Sequence, residues 1–403
     1  MRILTFGNLY PSTANPQHGV FTELRLRALL AADAGLEARV VAPVPWFPFR
    51  HPRFGAYATY ARVPAADVRH GVPVLYPRYP SIPKVGMGVA PQLMYRAVLP
   101  AVERLRRDGF AFDLIDAYYF YPDGVAAAML ARRFGVPLAI TALGSDVNIL
   151  PGFARPRRMI LEAARLAGAM VTVSQSLKDA LADLGAPAER IHVVRNGVDL
   201  DVFTPPPCRA ALRLALDLPP PDVAPVLLFV GNLVPLKRCH LCIEALTALP
   251  AARLVVAGAG PERPRLEALA ARLGVADRVR FLGRLVQDQL APWYGAADAL
   301  LLPSEREGLP NVVMEAMACG TPVVASHLPG TAEAVSVPAA GRLVETVDGP
   351  ALAAAVAALL AAPPSRDATR RHAESFSWQT TGSALSRLYR RLGDGRMRAA
   401  VAA

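Results

Sequence analysis

The chain has few lysines and no long apolar run. Of its 44 basic residues, only Lys84, Lys178 and Lys237 are lysines. No uninterrupted apolar segment approaches the ~20 residues that span a bilayer, and the longest, residues 351–362, has the composition of an alanine-rich helix. Residues 3–6 already have the pattern of a strand, which leaves no room for a signal peptide, so a cytoplasmic protein is expected.

The four cysteines are too few and too scattered to indicate a metal site, and they fit a reducing compartment. Cys239 and Cys242 have a spacing found in zinc sites. A four-ligand site would need a second close pair, whereas Cys208 and Cys319 are isolated. We therefore interpret Cys239 and Cys242 as small apolar thiols on a helix.

The formal net charge of +11 favours anionic partners such as nucleotide diphosphates, lipid phosphates or an acidic membrane surface. No nucleic-acid-binding motif is present, so nucleic acid is not expected as a partner. Residues 46–54 combine aromatic and basic side chains, and Arg155, Arg157 and Arg158 form a second basic cluster. Such surfaces suit peripheral contact with an anionic membrane that carries a lipid-linked acceptor; alternatively, the aromatic rings pack beneath the loop.

Apolar strand-like runs alternate with helical segments in both halves of the chain, which predicts doubly wound parallel sheets. The predicted strands are residues 3–6, 38–42, 114–115, 138–141 and 170–173, then 226–230, 254–257, 279–281, 299–302 and 323–324. Proline-rich residues 43–83 are expected to form a long inserted loop. The sequence thus predicts two α/β domains, at residues 1–203 and 204–380.

Two carboxylates with seven residues between them mark the most informative segment, residues 307–325. Glu307 precedes a turn at residues 308–311, and Glu315 lies in the helix that follows. The N-terminus of such a helix presents free N–H groups and a partial positive charge, which suit a phosphate. Carboxylates accept hydrogen bonds from hydroxyls, so the segment predicts a ligand with both a phosphate and a sugar.

With its Gly-Leu-Pro-Asn turn and its Ala-Cys-Gly-Thr-Pro-Val-Val end, this segment closely resembles the Glu-x7-Glu motif of retaining family 4 glycosyltransferases. The resemblance extends over nearly the whole chain. It implies the GT-B fold, in which two Rossmann-like doubly wound parallel-sheet domains face each other across a cleft. It also implies that a C-terminal helix, at about residues 381–403, packs back on the first domain. A UDP- or GDP-linked sugar is then the expected donor, and no metal or other cofactor is expected.

The resemblance assigns roles to individual residues. Glu307 anchors the transferred sugar, Lys237 reaches the donor diphosphate, and Asp146 lies near the acceptor unless it merely caps a helix. The implied donor-binding residues are Gly231, Asn232, Arg238, Gly258, Gly260, Val286, Gly308, Leu309, Pro310, Asn311 and Glu315. The implied loop near the acceptor and the donor phosphates contains His18, Gly19 and Ser145.

Two positions depart from the family pattern. Asn232 stands where many members carry arginine, and Arg238 is the candidate to replace that charge. Leu143 stands where the family has histidine or arginine, and leucine cannot donate a hydrogen bond or move a proton. Either a neighbour such as His18 supplies that contribution, or the reaction needs less help at this position.

Asp199 and Asp201 are spaced like the Asp-x-Asp metal site of another glycosyltransferase fold. They lie in a segment similar to the family's Asn-Gly-Val-Asp turn at the domain hinge, so we reject a metal site there.

The resemblance implies a retaining glycosyltransferase that uses a nucleotide-sugar donor and a glycan or lipid-linked acceptor, in bacterial surface-polysaccharide assembly. Two alternatives remain open, namely a nucleotide-sugar epimerase or phosphorylase and a non-catalytic sugar-nucleotide-binding protein. The expected location is the cytoplasm, at the inner face of its membrane if the basic surface binds lipid.

Overall fold

The computed structural model describes residues 1–81 and 86–395, which divide into two compact units. Unit 1 comprises Met1–Arg195 together with the segment that begins at Trp378. Unit 2 comprises Asn196–Ser377. Each unit has its own parallel sheet and its own buried core.

The strands of unit 1 form an eight-stranded sheet and a separate strand pair within the described residues. In chain order they are β1 (Arg2–Phe6), β2 (Glu37–Val41), β3 (Val44–Pro45), β4 (Ala66–Arg69), β5 (Val72–Leu75), β6 (Arg78–Tyr79), β7 (Leu114–Tyr118), β8 (Leu138–Ala142), β9 (Ala169–Thr172) and β10 (Ile191–Val193). The sheet order is β10-β9-β8-β7-β1-β2-β5-β4, and β3 pairs with β6. Only the β4–β5 pairing is antiparallel among these described strands.

Unit 2 contains a six-stranded parallel sheet within the part of the chain that the structure describes. Its strands are β11 (Val226–Val230), β12 (Arg253–Ala257), β13 (Val279–Gly283), β14 (Ala299–Leu302), β15 (Val323–Ser326) and β16 (Gly341–Val344). Their order is β13-β12-β11-β14-β15-β16. Every residue of β11, β14 and β15 is buried, as expected for strands that helices cover on both faces.

Helices alternate with the strands in both units. They are α1 (Val20–Ala32), α2 (Ala56–Arg62), α3 (Ala90–Arg107), α4 (Val125–Phe134), α5 (Ser145–Asn148), α6 (Ala154–Leu166), α7 (Gln175–Asp183), α8 (Arg209–Ala215), α9 (Cys239–Ala245), α10 (Arg263–Arg272), α11 (Gln287–Ala296), α12 (Asn311–Ala318), α13 (Pro329–Ala334), α14 (Gly349–Ala361), α15 (Arg366–Ala373) and α16 (Trp378–Gly393). None of the helices in the described residues is long and apolar enough to cross a membrane.

The prediction of a long loop at residues 43–83 is wrong over its described part, because this segment contains β3, α2, β4, β5 and β6. Residues 82–83 of that range lie outside the described residues. Val72 and Val74 of β5 are buried while Pro73 between them is exposed, so the strand does alternate. The frequent prolines obscure this alternation in the sequence.

The C-terminal helix α16 packs on α1 in unit 1. Gly382 lies so close to α1 that an added Cβ would be 2.1 Å from the carbonyl oxygen of Ala28. Arg390 donates to Asp33 at 2.7 Å, and the Tyr389 hydroxyl donates to Asp116 at 2.7 Å. These contacts explain why the segment after the second sheet belongs to unit 1.

The limits of the compact units differ from the predicted domain limits. The boundaries predicted from the sequence lie after residues 203 and 380, whereas the units divide after Arg195 and after Ser377. Residues 396–403 of the predicted C-terminal segment lie outside the described residues.

Candidate active site

The structure brings Lys237 and Glu307 together in unit 2. Lys237 follows β11 and Glu307 follows β14, and these strands are parallel neighbours in which Leu227 pairs with Ala299. The carboxyl ends of parallel neighbours lie at the same edge of a sheet, so the two loops are adjacent. The ammonium of Lys237 donates to Oε1 of Glu307 at 2.6 Å.

The pair is shielded but accessible. The side chain of Lys237 is 23% exposed and that of Glu307 is 11% exposed. A charge pair in this intermediate environment is held more firmly than a surface pair, yet a ligand can still reach it. The ammonium can bind a phosphate as a point charge, and the carboxylate can accept hydrogen bonds from sugar hydroxyls.

Further contacts tie the same two loops together. Arg238 donates to Oε1 of Glu305 at 2.8 Å, and the backbone N–H of Glu305 donates to the carbonyl of Leu236 at 2.9 Å. In this structure the Arg238 guanidinium therefore has a carboxylate partner of its own.

Two glycines after β12 allow backbones to touch. A Cβ at Gly258 would lie 1.9 Å from the carbonyl oxygen of Gly231, and one at Gly260 would lie 2.2 Å from that of Leu233. Any side chain at either position would collide with backbone, which cannot move without shifting the loop. Close packing therefore explains why both positions are glycine. The 258–260 turn packs directly against the loop that leads to Lys237.

A glycine also allows close backbone packing at the turn before α12. A Cβ at Gly330 would lie 1.5 Å from the carbonyl oxygen of Gly308, so α13 packs directly on the turn. Leu309 is buried, and Pro310 at the N-cap of α12 has no side-chain oxygen with which to cap the helix. The side-chain oxygen of Asn311 accepts a hydrogen bond from Asn196 at 3.2 Å. The first N–H groups of α12 therefore lie next to the loop that carries Glu307.

Glu315 lies on α12 and is oriented by α11. The Tyr294 hydroxyl donates to its Oε2 at 2.7 Å, and the Gln287 amide lies 3.4 Å from its Oε1. Burial raises the pKa of Glu315, and the hydrogen bonds from Tyr294 and Gln287 act in the opposite direction. The sequence does not predict the roles of Tyr294 and Gln287, because no local spacing links them to Glu315.

The two remaining predicted donor-binding residues lie at the surface of loops at the same edge of the sheet. Asn232 follows β11 and Val286 precedes α11, and both side chains are exposed. Their positions leave them open to a ligand that lies over the carboxyl ends of the strands.

Unit 1 contains a cavity of about 410 Å³ that includes two of the predicted acceptor-side residues, His18 and Ser145, in its wall. The Tyr119 hydroxyl and the Ser145 hydroxyl lie 2.6 Å apart, and Nε2 of His18 lies 3.1 Å from the carbonyl oxygen of Asn8. Burial lowers the pKa of His18. Apart from His18, no acidic or basic side chain lines this cavity in the described part of the chain.

Gly19 is the N-cap of α1 and has a left-handed backbone conformation, with a φ of 68°. A Cβ there would lie 2.1 Å from the carbonyl carbon of Leu9. The glycine therefore serves close packing of the loop on the helix start. This geometry leaves the side chain of the preceding residue, His18, in the wall of the cavity.

Asp146 is fully buried and its carboxylate accepts three backbone N–H groups, from Phe120, Leu143 and Gly144, at 2.9, 3.1 and 2.8 Å. Burial raises its pKa, against the effect of these hydrogen bonds. The geometry favours a positioning role, in which Asp146 holds the loop that presents Ser145, over direct contact with an acceptor.

The weaker metal candidates have ordinary structural roles. Oδ1 of Asp199 accepts the backbone N–H groups of Asp201 and Val202, each at 3.1 Å, as in a turn. Cys239 and Cys242 are buried, and burial raises the pKa of both thiols. No group of three or more potential metal ligands occurs among the described residues.

Two family models match the chain. The model described as Glycosyltransferase Family 4 matches residues 24–202, and the model described as Glycosyl transferases group 1 matches residues 217–376. A D-inositol 3-phosphate glycosyltransferase of Xylanimonas cellulosilytica is 35% identical over 82% of this chain and 84% of its own length. D-inositol 3-phosphate glycosyltransferase 2 of Catenulispora acidiphila is 37% identical over 72% of this chain and 73% of its own length.

Solved structures show the same fold. Sucrose-phosphate synthase from Thermosynechococcus elongatus matches with a TM-score of 0.79 and 23% identity, over 97% of this chain and 98% of that one. HepE of Anabaena in complex with UDP matches with a TM-score of 0.74 and 22% identity, over 96% and 99% of the two chains. The two parallel-sheet units are therefore those of a GT-B fold.

Proposed function

Because the chain belongs to glycosyltransferase family 4 and is a glycosyltransferase, we propose that it transfers a sugar from a nucleotide-sugar donor with retention of anomeric configuration. The observation that carries this proposal is the 2.6 Å pair of Lys237 and Glu307 beside the first turn of α12. An ammonium, a carboxylate and free helix N–H groups are the groups that a sugar linked to a diphosphate requires. Retention is supported by the resemblance of the Glu-x7-Glu segment to retaining enzymes.

In the proposed reaction, the bond between the sugar C1 and the diphosphate oxygen breaks, and its electron pair leaves on the phosphate. Lys237 and the N–H groups at the start of α12 stabilise that growing charge. The acceptor hydroxyl forms the new bond to C1 on the face from which the diphosphate departs, and its proton passes to the leaving phosphate. Glu307 holds hydroxyls of the transferred sugar. Glu315, which accepts a hydrogen bond from the Tyr294 hydroxyl, also accepts hydrogen bonds from the ribose hydroxyls.

The proposed donor is UDP- or GDP-linked, and the reaction needs no metal. Solved structures of HepE contain UDP and UDP-glucose, which supports a uridine nucleotide at the level of the shared fold. Because Asn232 replaces an arginine found in many members and Arg238 is paired with Glu305, Lys237 and the helix N-terminus carry most of the diphosphate recognition.

The proposed acceptor is a hydroxyl-rich ring in the cavity next to His18 and Ser145, because the uncharged wall of that cavity suits a sugar or polyol. The curated relatives are named for D-inositol 3-phosphate rather than for a polysaccharide. They support a small ring acceptor in place of the surface polysaccharide that the sequence analysis predicts. Peripheral contact with the inner face of the cytoplasmic membrane, and a lipid-linked acceptor, stay predictions.

The epimerase or phosphorylase and the non-catalytic alternatives are not favoured, because the matching relatives are named as glycosyltransferases. Asn232, one of the two departures from the family pattern, follows β11 in the unit that retains the Lys237–Glu307 charge pair.

A thermal-shift screen against UDP- and GDP-sugars, with EDTA present, tests the donor assignment. A ligand that binds only the folded protein raises the melting temperature by mass action, so we expect one donor to produce a shift that EDTA leaves unchanged. The Glu307→Gln variant, which has lost its negative charge, should show a smaller shift with the same donor. Absence of any shift with the wild-type protein, or a shift that EDTA abolishes, contradicts the proposal.

A further inference from the structure

His18 is the one side chain among the described residues lining the unit 1 cavity that ordinarily changes its charge near neutral pH. Its side chain is half-buried, and Nε2 of its ring lies 3.1 Å from the carbonyl oxygen of Asn8. A carbonyl oxygen can only accept a hydrogen bond, so Nε2 carries the hydrogen and donates it. This hydrogen bond fixes both the direction of the ring and the position of its hydrogen.

The cavity favours the neutral form of the His18 ring. Burial lowers the pKa of His18, against the effect of the hydrogen bond to Asn8. No acidic side chain lines the cavity within the described residues, so a positive charge on the ring would have no carboxylate beside it there. A neutral imidazole with its hydrogen on Nε2 has a free lone pair on Nδ1. The Nδ1 atom can therefore accept a hydrogen bond but cannot donate one.

The loop that carries His18 is held in place by contacts within unit 1. The backbone N–H of Asn8 donates to Oδ1 of Asp123 at 2.6 Å, and Asp123 is fully buried. The backbone N–H of His18 donates to the carbonyl of Asn15 at 3.2 Å. Asn15 and Ser12 exchange two backbone hydrogen bonds, at 3.1 and 3.2 Å. The ring of His18 is thus positioned before a ligand enters, which lowers the entropic cost of binding.

The Nδ1 atom of His18 has no hydrogen-bond partner within the part of the chain that the structure describes. An unpaired acceptor in a cavity wall favours a ligand that brings a hydrogen to it. A hydroxyl group can do so, whereas an ionised phosphate oxygen can only accept. The cavity, at about 410 Å³, has the size of a site for a small ring.

We propose that His18 selects the acceptor by accepting a hydrogen bond, through Nδ1, from a ring hydroxyl of a sugar or polyol. This inference rests on the proposed function, which places the acceptor in this cavity. The hydroxyl is not the attacking one, whose proton passes to the leaving phosphate in the proposed reaction. His18 is therefore a specificity-determining residue and not a general base. It also does not replace the hydrogen-bond donor that Leu143 lacks, because its single N–H is used by Asn8.

Nitrogen NMR of the histidine side chains tests the tautomer and the binding without sugar transfer. The wild-type protein is observed near neutral pH with no donor present, and separate samples are titrated with methyl glucoside and with myo-inositol. The His18→Phe variant identifies the signals of His18 by their loss. His372 is the internal control, because its Nε2 likewise lies 2.8 Å from a backbone carbonyl oxygen, that of Ala334 in unit 2.

We expect both histidines to carry their hydrogen on Nε2 and a lone pair on Nδ1. During a titration the Nδ1 signal of His18 should move as it gains a hydrogen bond, while that of His372 should stay in place. A response to methyl glucoside supports a sugar ring as the ligand, and a response to myo-inositol alone supports a cyclitol. A hydrogen on Nδ1 of His18, or no response of His18 to either ring, overturns the proposal.

The dissociation constant of the ring that binds provides a second test, followed through the backbone amide signal of Ser145. His18→Phe keeps a planar ring without Nδ1 and should weaken binding about tenfold, which corresponds to ~1.4 kcal/mol. His18→Asn should weaken it less, because its side-chain oxygen can take the place of Nδ1. A folded His18→Phe protein that binds as tightly as the wild type contradicts the proposal. Failure of sugar transfer would leave these results unchanged, because no donor is present.

Discussion

At the scale of single residues, the central feature is the charge pair of Lys237 and Glu307. Lys237 and Glu307 neutralise each other across a hydrogen bond of 2.6 Å. In the proposed function, a donor diphosphate offers Lys237 a second anionic partner, and Glu307 accepts hydrogen bonds from the sugar hydroxyls. The pair thereby keeps both groups in place without leaving either charge alone in a partly buried loop.

The buried carboxyl group of Asp123 is destabilised in its charged form by burial. Asp123 is fully buried, and its Oδ1 accepts the backbone N–H of Asn8 at 2.6 Å. Its Oδ2 has no hydrogen-bond partner within the described residues. Burial, assisted by the charge of Asp146, raises the pKa of Asp123 to about 7. The folded protein therefore binds a proton here that the unfolded chain releases at a much lower pH.

The Asp123→Asn variant should lose this pH dependence. Because the folded-state pKa is raised, the stabilising effect of the proton is fully present below the unfolded pKa and is lost as pH rises through about 7. Relative to the wild type, we expect the variant to gain on the order of 2 kcal/mol in free energy of unfolding between about pH 5 and 8. Urea denaturation at several pH values measures this difference.

The Asp222→Asn substitution serves as the control for Asp123→Asn, because it makes the same chemical change at an exposed position. A difference between Asp123→Asn and wild type that stays constant over the whole pH range would show that Asp123 is not protonated near neutral pH in the folded protein.

A local sequence pattern predicts where a side chain lies when that side chain directly follows a strand. Lys237 and Glu307 follow predicted strands, and those strands prove to be neighbours in the sheet. It misses Tyr294, which lies 21 residues before Glu315 on another helix, and Gly330, whose role depends on contact with Gly308. Such roles arise only from packing between elements that the sequence does not pair.

At the scale of secondary-structure elements, helix α16 holds unit 1 together from the end of the chain. Its contacts reach α1 through Asp33 and β7 through Asp116. Close approach to α1 depends on Gly382, which has no side chain to separate the two helices.

The Gly382→Ala substitution should therefore destabilise unit 1. Alanine favours a helix over glycine by ~1 kcal/mol, but its Cβ would lie 2.1 Å from the carbonyl oxygen of Ala28. A clash with backbone outweighs the helix preference, so we expect the free energy of unfolding to fall by about 2 kcal/mol or more. Chemical denaturation followed by circular dichroism measures the change.

The matched control on the same helix is Arg387→Ala, because Arg387 is exposed. It should leave the free energy of unfolding within about 0.5 kcal/mol of wild type. If Gly382→Ala is as stable as this control, α16 does not pack on α1 as closely as the structure shows.

Short edge elements account for much of what the sequence analysis overlooks in the fold. Central strands such as β11 and β14 are unbroken runs of apolar residues. Such runs are easily recognised as strands in the sequence. Strands β10 and β16 are short and lie at the ends of their sheets, and β4–β5 is a hairpin within a proline-rich segment. Edge strands bury less apolar surface, so their sequences carry a weaker pattern.

At the scale of the whole molecule, each unit contains a site of different chemistry. Unit 2 supplies a charged pair and a helix N-terminus, which suit a nucleotide diphosphate. Unit 1 supplies a cavity in which His18 is the one acidic or basic side chain among the described lining residues, and such a wall suits a hydroxyl-bearing ligand. The presence of two α/β units could be predicted from the sequence, but the lining of the unit 1 cavity could not, because it depends in part on the fold of residues 43–81.

The most direct test of this account is the turnover number for nucleoside diphosphate release from the donor that the thermal-shift screen selects. Lys237→Ala removes the ammonium that stabilises the leaving phosphate in the proposed reaction, and loss of one such group typically lowers kcat by roughly 100-fold or more. Lys178→Ala, which removes a lysine from α7 in unit 1, is the matched control and should retain wild-type turnover. The account predicts a folded Lys237→Ala protein with a strongly reduced kcat. A folded Lys237→Ala protein that turns over at the rate of the control would contradict it.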